Sequence, residues 1–125
     1  MYCLQGGIQA SNRIVVDMGA NLGFHASHAA LLGHPVVAFE MNPMTASVLR
    51  ANAGLNSVAE RLQVVEAGVS DVAANMSFYV LPNSPATASL SRGFGKEMNA
   101  ISTPVKIVRA DSVLEGSLGH IVLAA

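Results

Sequence analysis

Three short apolar runs divide the first half of the chain: Ile14-Val15-Val16, Val36 to Phe39, and Leu62 to Val65. Each is apolar at nearly every position instead of every second one, which is the pattern of a strand covered on both faces. The spans between them are long enough for a helix and are rich in Ala and Leu. Strands that alternate with helices are not joined by hairpins. They require a parallel sheet with right-handed crossovers, and this restricts the chain to the α/β class.

Local signals bound the elements. A first helix is expected from Leu22 to Leu32, with Gly33 where a helix-terminating glycine belongs. Asn42 and Pro43 form a helix start, with Asn as the cap and Pro at the first helical position, and the second helix should run to about Gly54. After Asp71 the alternation breaks down. Met76 to Leu81 and Val105 to Val108 read as strands, Asp111 to Leu114 as a short helix, and Ile121 to Ala125 as a further buried strand. Residues 82–104, polar and rich in Ser, Asn and Gly, are expected to form a long loop or insertion. Within it, Ser84 to Lys96 is either a lid hinged at Gly93 and Gly95 or an insertion without fixed structure. Residues 1–125 show no internal repeat and no second domain.

The chemistry concentrates in Val15 to Gly23, VVDMGANLG, which closes the first strand and opens the first helix. Glycines there let the backbone turn sharply and approach a ligand closely. A dinucleotide site would set a pyrophosphate on the helix N-terminus with G-x-G-x-x-G spacing. Here only Gly19 and Gly23 are present, and Asp17 stands at the entrance, where its carboxylate would repel a pyrophosphate. It would attract a ligand carrying an ammonium and a sulfonium. No G-K-S/T follows, so a P-loop is excluded. Glu40 ends the second strand roughly 20 residues beyond the turn, where an acidic side chain accepts both hydroxyls of a ribose. The two carboxylates together favour S-adenosylmethionine over NAD. The plainer alternatives are Asp17 as a helix cap and Glu40 as a solvated strand end.

The stretch VVDMGANLGFHASHAALLGHPVVAFEMNP resembles the FkbM-type class I methyltransferases, whose turn reads D-x-G-A-N-x-G and whose second strand ends in E-P-N-P. Asp17, Gly19, Ala20, Asn21 and Gly23 match the first motif; Glu40, Asn42 and Pro43 match the second, with Met41 in place of the family's Pro. The similarity extends through ANAGLN, VVEAGVSD, SFYV and PVKIVRADSVLEG. It implies a Rossmann-like class I methyltransferase sheet of parallel strands with flanking helices, truncated at about the fourth core strand. It also implies that Asp17 to Gly23 hold the methionine portion of S-adenosylmethionine, Glu40 the ribose, and Gly68 and Val69 the adenine. The family's K-I-D-V-E-G motif, expected after the strand that begins at Ile121, is absent before Ala125. No catalytic base is therefore assigned. A chain ending in that strand is expected to be a fragment with an exposed, self-associating strand edge.

Composition narrows the partners. The formal net charge is −1 and the seven basic residues are scattered in sequence, which argues against nucleic acid and leaves a small-molecule or sugar hydroxyl as the expected methyl acceptor. Cys3 is the single cysteine, so an intrachain disulfide and a cysteine-rich zinc site are excluded, and His25 and His28 lack the carboxylate pattern of a metal site. No stretch approaches the ~20 apolar residues of a membrane span, and MYCLQGGIQASNR lacks the features of a signal peptide. A cytoplasmic protein is expected. Two other readings stay open: a NAD-dependent Rossmann enzyme, and a non-catalytic binding or interaction module that keeps only the cofactor turn.

Overall fold

The computed structural model describes residues 14–115 and 121–124. The N-terminal residues 1–13, Cys3 among them, and His120 lie outside the described residues. Four strands make a parallel sheet: β1 (Ile14–Met18), β2 (Val36–Phe39), β3 (Leu62–Val65) and β8 (Ile121–Ala124), in the order β3-β2-β1-β8. Between β3 and β8 the chain builds a second sheet from β4 (Gly68–Val69), β5 (Ala74–Leu81), β6 (Ser84–Ser89) and β7 (Ile101–Val108), in the order β4-β7-β5-β6. In that sheet β5 runs antiparallel to both β6 and β7.

Strands β1 and β2 at the middle of the parallel sheet are covered on both faces, as their nearly continuous apolar runs require. On one side α1 (Phe24–Leu31) and α2 (Pro43–Leu55) pack Ala26, Ala30, Leu49 and Ala53 against Val15, Val36 and Ala38. On the other, Val16, Val37 and Phe39 meet Leu114 of α4 (Ala110–Leu114) and Val69. Alanine dominates the helix side because small side chains let the helices lie close to the sheet. The helix ends follow the expected chemistry. Gly33 has φ +94°, and its N–H donates to the Ala30 carbonyl while the His34 N–H donates to Ala29, so the last turn of α1 closes on a left-handed glycine. The Asn42 side chain accepts the Met44 N–H at 3.1 Å, and Pro43 opens α2. Asn42→Ala should cost about 1 kcal/mol in thermal or denaturant unfolding; an unchanged midpoint would show that the cap is not a stabilising contact.

The expected loop over residues 82–104 is corrected. Ser84–Ser89 is strand β6, α3 spans Arg92–Glu97, and β7 begins at Ile101. The segment Ser84-Pro85-Ala86-Thr87-Ala88-Ser89 has little strand propensity of its own. It is strand because it pairs with the edge of β5, with Tyr79 opposite Ser89 and Val80 opposite Ala88. Gly95 is not a free hinge. A Cβ placed there would stand 2.4 Å from Tyr79 Cδ1, so the glycine lets α3 sit directly on the ring. Among the described residues no helix is long and apolar enough to cross a membrane.

Candidate functional site

The turn after β1 is bound to the end of β2. The N–H groups of Gly19 and Ala20 both donate to the Phe39 carbonyl at 2.9 Å, and Gly19 (φ +77°) and Asn21 (φ +55°) take left-handed conformations. A Cβ at Gly19 would meet nothing within 4 Å, so this glycine is required by its backbone angle and the space beside it is open. Gly23 differs. Its φ is +91°, and a Cβ there would lie 2.2 Å from Leu49 Cδ1, in a side chain with no exposure at all. Gly23 therefore lets α1 pass close over α2; its own N–H donates to the Ala20 carbonyl. Ala20 is buried.

Asp17 lies on β1 and is 2% exposed, and its Oδ2 has no hydrogen-bond partner among the described residues. Burial pushes its carboxyl above the ordinary value of 3.8, with the nearby Glu40 charge adding in the same direction and His25 opposing it. The first residue before α1 is Gly23, so Asp17 does not cap that helix. Glu40 is neither buried nor free. Its Oε1 accepts the Asn21 N–H at 3.0 Å and its Oε2 accepts the Asn42 N–H at 3.1 Å. Two backbone amides thus set the carboxylate in one orientation, and each oxygen keeps a lone pair for a further donor. This also excludes the reading of Glu40 as a merely solvated strand end.

Gly68 and Val69 sit in β4, paired with Ile107 and Val108. A Cβ on Gly68 would lie 3.0 Å from Met41 Sδ and 2.8 Å from Ile107 Cδ1. Met41, the residue after Glu40, thereby packs on the Gly68 segment, and the two border a cleft of about 460 Å³ with Val69 and Met76. The structure brings Asp17, Gly19, Ala20, Asn21 and Glu40 together at one end of the parallel sheet, with Gly68 reached through Met41.

Two contributors were not visible as such in sequence. Met41 stood out as a departure from the E-P-N-P pattern but showed nothing of its contact with Gly68. Asn52, whose side chain donates to the Leu22 carbonyl at 2.9 Å and ties α2 to the turn, carried no local signal.

A parallel sheet with a glycine turn after its first strand and a carboxylate closing its second defines a Rossmann-like cofactor-binding domain. Residues 7–89 match the family model of the TRM5/TYW2 methyltransferase domain, and the chain belongs to this family. The cofactor of the class is S-adenosylmethionine. The chain is 30% identical over 111 residues to the ribosomal protein L11 methyltransferase of Pelotomaculum thermopropionicum, an alignment that takes in 88% of this chain. The chain spans about a third of that relative's length, at 35%. An RNA methyltransferase from Salinibacter ruber, solved with S-adenosyl-L-homocysteine, is 25% identical, with a TM-score of 0.43 over 44% of this chain and 37% of that one.

These relatives correct the expected partners. The expected small-molecule acceptor with no nucleic acid is overturned, because the matched family is the TRM5/TYW2 methyltransferase domain and the curated relative is a ribosomal protein L11 methyltransferase. The expectation failed because net charge sums the whole chain and says nothing of how charges are grouped in space. The family that matches is TRM5/TYW2; the two motifs that anchor the FkbM-type resemblance, a turn and a strand-end carboxylate, concern the cofactor and not the acceptor.

Proposed function

We propose that this chain forms the S-adenosylmethionine-binding part of a methyltransferase whose acceptor is a nucleic acid or a protein. The observation that carries this reading is Asp17 Oδ2, a buried carboxylate oxygen without a hydrogen-bond partner among the described residues, beside a glycine turn whose flank is open. A buried unpaired acceptor is costly, and a ligand that brings a cation and N–H donors relieves that cost. A pyrophosphate would add to it.

In this reading Asp17 faces the positive amino acid end of S-adenosylmethionine, and Gly19, Ala20 and Asn21 shape the bend against which that end lies. Gly23 maintains the bend by its packing on Leu49. Glu40, already oriented by two amides, accepts the ribose hydroxyls; such charge-assisted bonds are worth roughly 1.5–3 kcal/mol. Gly68 and Val69 border the adenine, together with Met41. When bound, S-adenosylmethionine supplies an activated methyl group, and the chain's residues align it and exclude water. The FkbM-type assignment and an oxygen acceptor rest on motif resemblance alone.

Calorimetric titration of this chain with S-adenosylmethionine, S-adenosylhomocysteine and NAD tests the reading. Binding of the first two and not of NAD is expected, and Glu40→Ala should weaken both by about 10-fold or more, the equivalent of one charge-assisted hydrogen bond. Uptake of NAD with no response to the two methionine derivatives would refute the assignment.

A further inference from the structure

Two peptide groups in the turn between β1 and α1 are hydrogen-bonded at both ends. A peptide group is planar, so a bond to the carbonyl of one residue also orients the N–H of the next. The Ala20 carbonyl accepts the Gly23 N–H at 3.0 Å, and the Asn21 N–H of the same group donates to Glu40 Oε1 at 3.0 Å. The group that supplies the Gly23 N–H carries the Leu22 carbonyl, which accepts a side-chain N–H of Asn52 at 2.9 Å. One unbroken line of hydrogen bonds thus runs from Asn52 Nδ2 through both groups to Glu40. The other Glu40 oxygen accepts the Asn42 N–H at the start of α2. Bonds in such a line polarise and strengthen one another.

The turn needs this support. Asn21 and Gly23 are both left-handed, at φ +55° and +91°, and a residue with a side chain holds that conformation only where its surroundings fix it. Glu40 fixes the Asn21 end. The Gly23 end rests on α2, where Leu49 lies beneath the glycine and Asn52 reaches the Leu22 carbonyl. Three positions apart, Leu49 and Asn52 share one face of α2. Asn52 is itself anchored, since its carbonyl accepts the backbone N–H of Asn56 at 3.0 Å and the Asn56 side chain at 2.8 Å. With Leu22, Gly23 and Asn56 it lines a cleft of about 400 Å³ that includes neither Asp17 nor Glu40. Asn52 therefore acts on Glu40 through the turn and not by contact.

We propose that Asn52 is a positioning residue for cofactor binding, which holds the Leu22–Gly23 and Ala20–Asn21 peptide groups in line with the Glu40 carboxylate. The proposal rests on the reading of this turn and Glu40 as the S-adenosylmethionine site. Asn52 raises the fraction of chains whose turn is ready for the ligand, and apparent affinity scales with that fraction. Solvent reaches the Asn52 bond, so its loss should count as one ordinary neutral hydrogen bond, about 3- to 10-fold in affinity.

The test combines amide exchange by NMR with calorimetry on the native chain, Asn52→Asp and Asn52→Gln. Aspartate keeps the size but, ionised, has no proton to donate and sets an oxygen against the Leu22 carbonyl; glutamine keeps the donor. In the cofactor-free chain, Asn52→Asp should speed exchange of the Asn21 and Gly23 N–H groups about 3- to 10-fold beyond any change at Val37 and Ala38 of β2, which report global unfolding. Affinity for S-adenosylhomocysteine should fall by a similar factor, and Asn52→Gln should recover most of both. If Asn52→Asp does not fold, Asn52→Ala carries the same comparison. Unchanged exchange at Asn21 would overturn the proposal. So would faster exchange with unchanged affinity, which would make Asn52 only a tie between α2 and the turn. Failure of the native chain to bind either methionine derivative strikes the cofactor reading, while exchange in the cofactor-free chain still decides whether Asn52 holds the turn.

Discussion

Replacing Asp17 with asparagine is expected to stabilise the cofactor-free chain and at the same time to abolish its measurable affinity for S-adenosylmethionine. The carboxylate is 2% exposed with one oxygen unpartnered among the described residues, so ionising it in the folded state is unfavourable. Removing that charge should raise stability at neutral pH by about 1 kcal/mol, at the low end of the range for an unsatisfied buried polar group. The pH dependence has a definite sign. Because burial raises the folded carboxyl above 3.8, the folded chain holds this proton over an interval in which the unfolded chain has released it. The Asp17 contribution to stability is then most favourable below 3.8 and declines as pH rises through the raised folded value, after which it is level. Asparagine removes this decline. Affinity for the cationic ligand should move the opposite way and increase as Asp17 ionises. Denaturant unfolding of both chains from pH 3 to about 8 checks the first part, and calorimetry across the same range checks the second. A less stable Asp17→Asn chain would mean that the carboxylate has an internal partner and is not held for a ligand.

Gly23→Ala is expected to be the most damaging single methyl addition in the turn, and Gly19→Ala a milder one. Both glycines have positive φ, which costs an alanine about 1–2 kcal/mol. Only at Gly23 does the new Cβ meet a wall, with Leu49 Cδ1 at 2.2 Å inside a fully buried side chain, and overpacking adds about 1–3 kcal/mol. Gly23→Ala should therefore lose about 2–5 kcal/mol and lower the melting temperature well below that of Gly19→Ala. At Gly19 the methyl enters the open flank, so its main effect should be on cofactor affinity. Leu49→Ala alone should cost about 2–5 kcal/mol, but combined with Gly23→Ala it should cost clearly less than the sum, because the shortened side chain makes room for the new methyl. Strict additivity in that double-variant cycle would exclude Leu49 as the reason for the glycine.

The parallel half of the molecule was readable because its signals are local. Val36 to Phe39 and Leu62 to Val65 are strands with the expected bounds, and Asn42, Pro43 and Gly33 end their helices as their side-chain and backbone chemistry dictates. β1 also pairs in parallel with β8. The second sheet was only half readable. Met76 to Leu81 and Val105 to Val108 showed as strands, shorter than the observed β5 and β7, but β4 and β6 did not show at all. A two-residue strand such as Gly68–Val69 has no period to detect, and Ser84–Ser89 is made strand by the unpaired edge it completes.

Composition and spacing in one dimension were enough to determine an α/β chain with a glycine turn after its first strand and a carboxylate closing its second, because caps, turns and strand burial depend on near neighbours. Tertiary structure alone decided two things: that Asp17 is buried with its Oδ2 lacking a hydrogen-bond partner among the described residues, and that Glu40 is oriented by the amides of Asn21 and Asn42. Each depends on groups brought together from distant parts of the chain, and neither residue type nor local periodicity encodes that proximity.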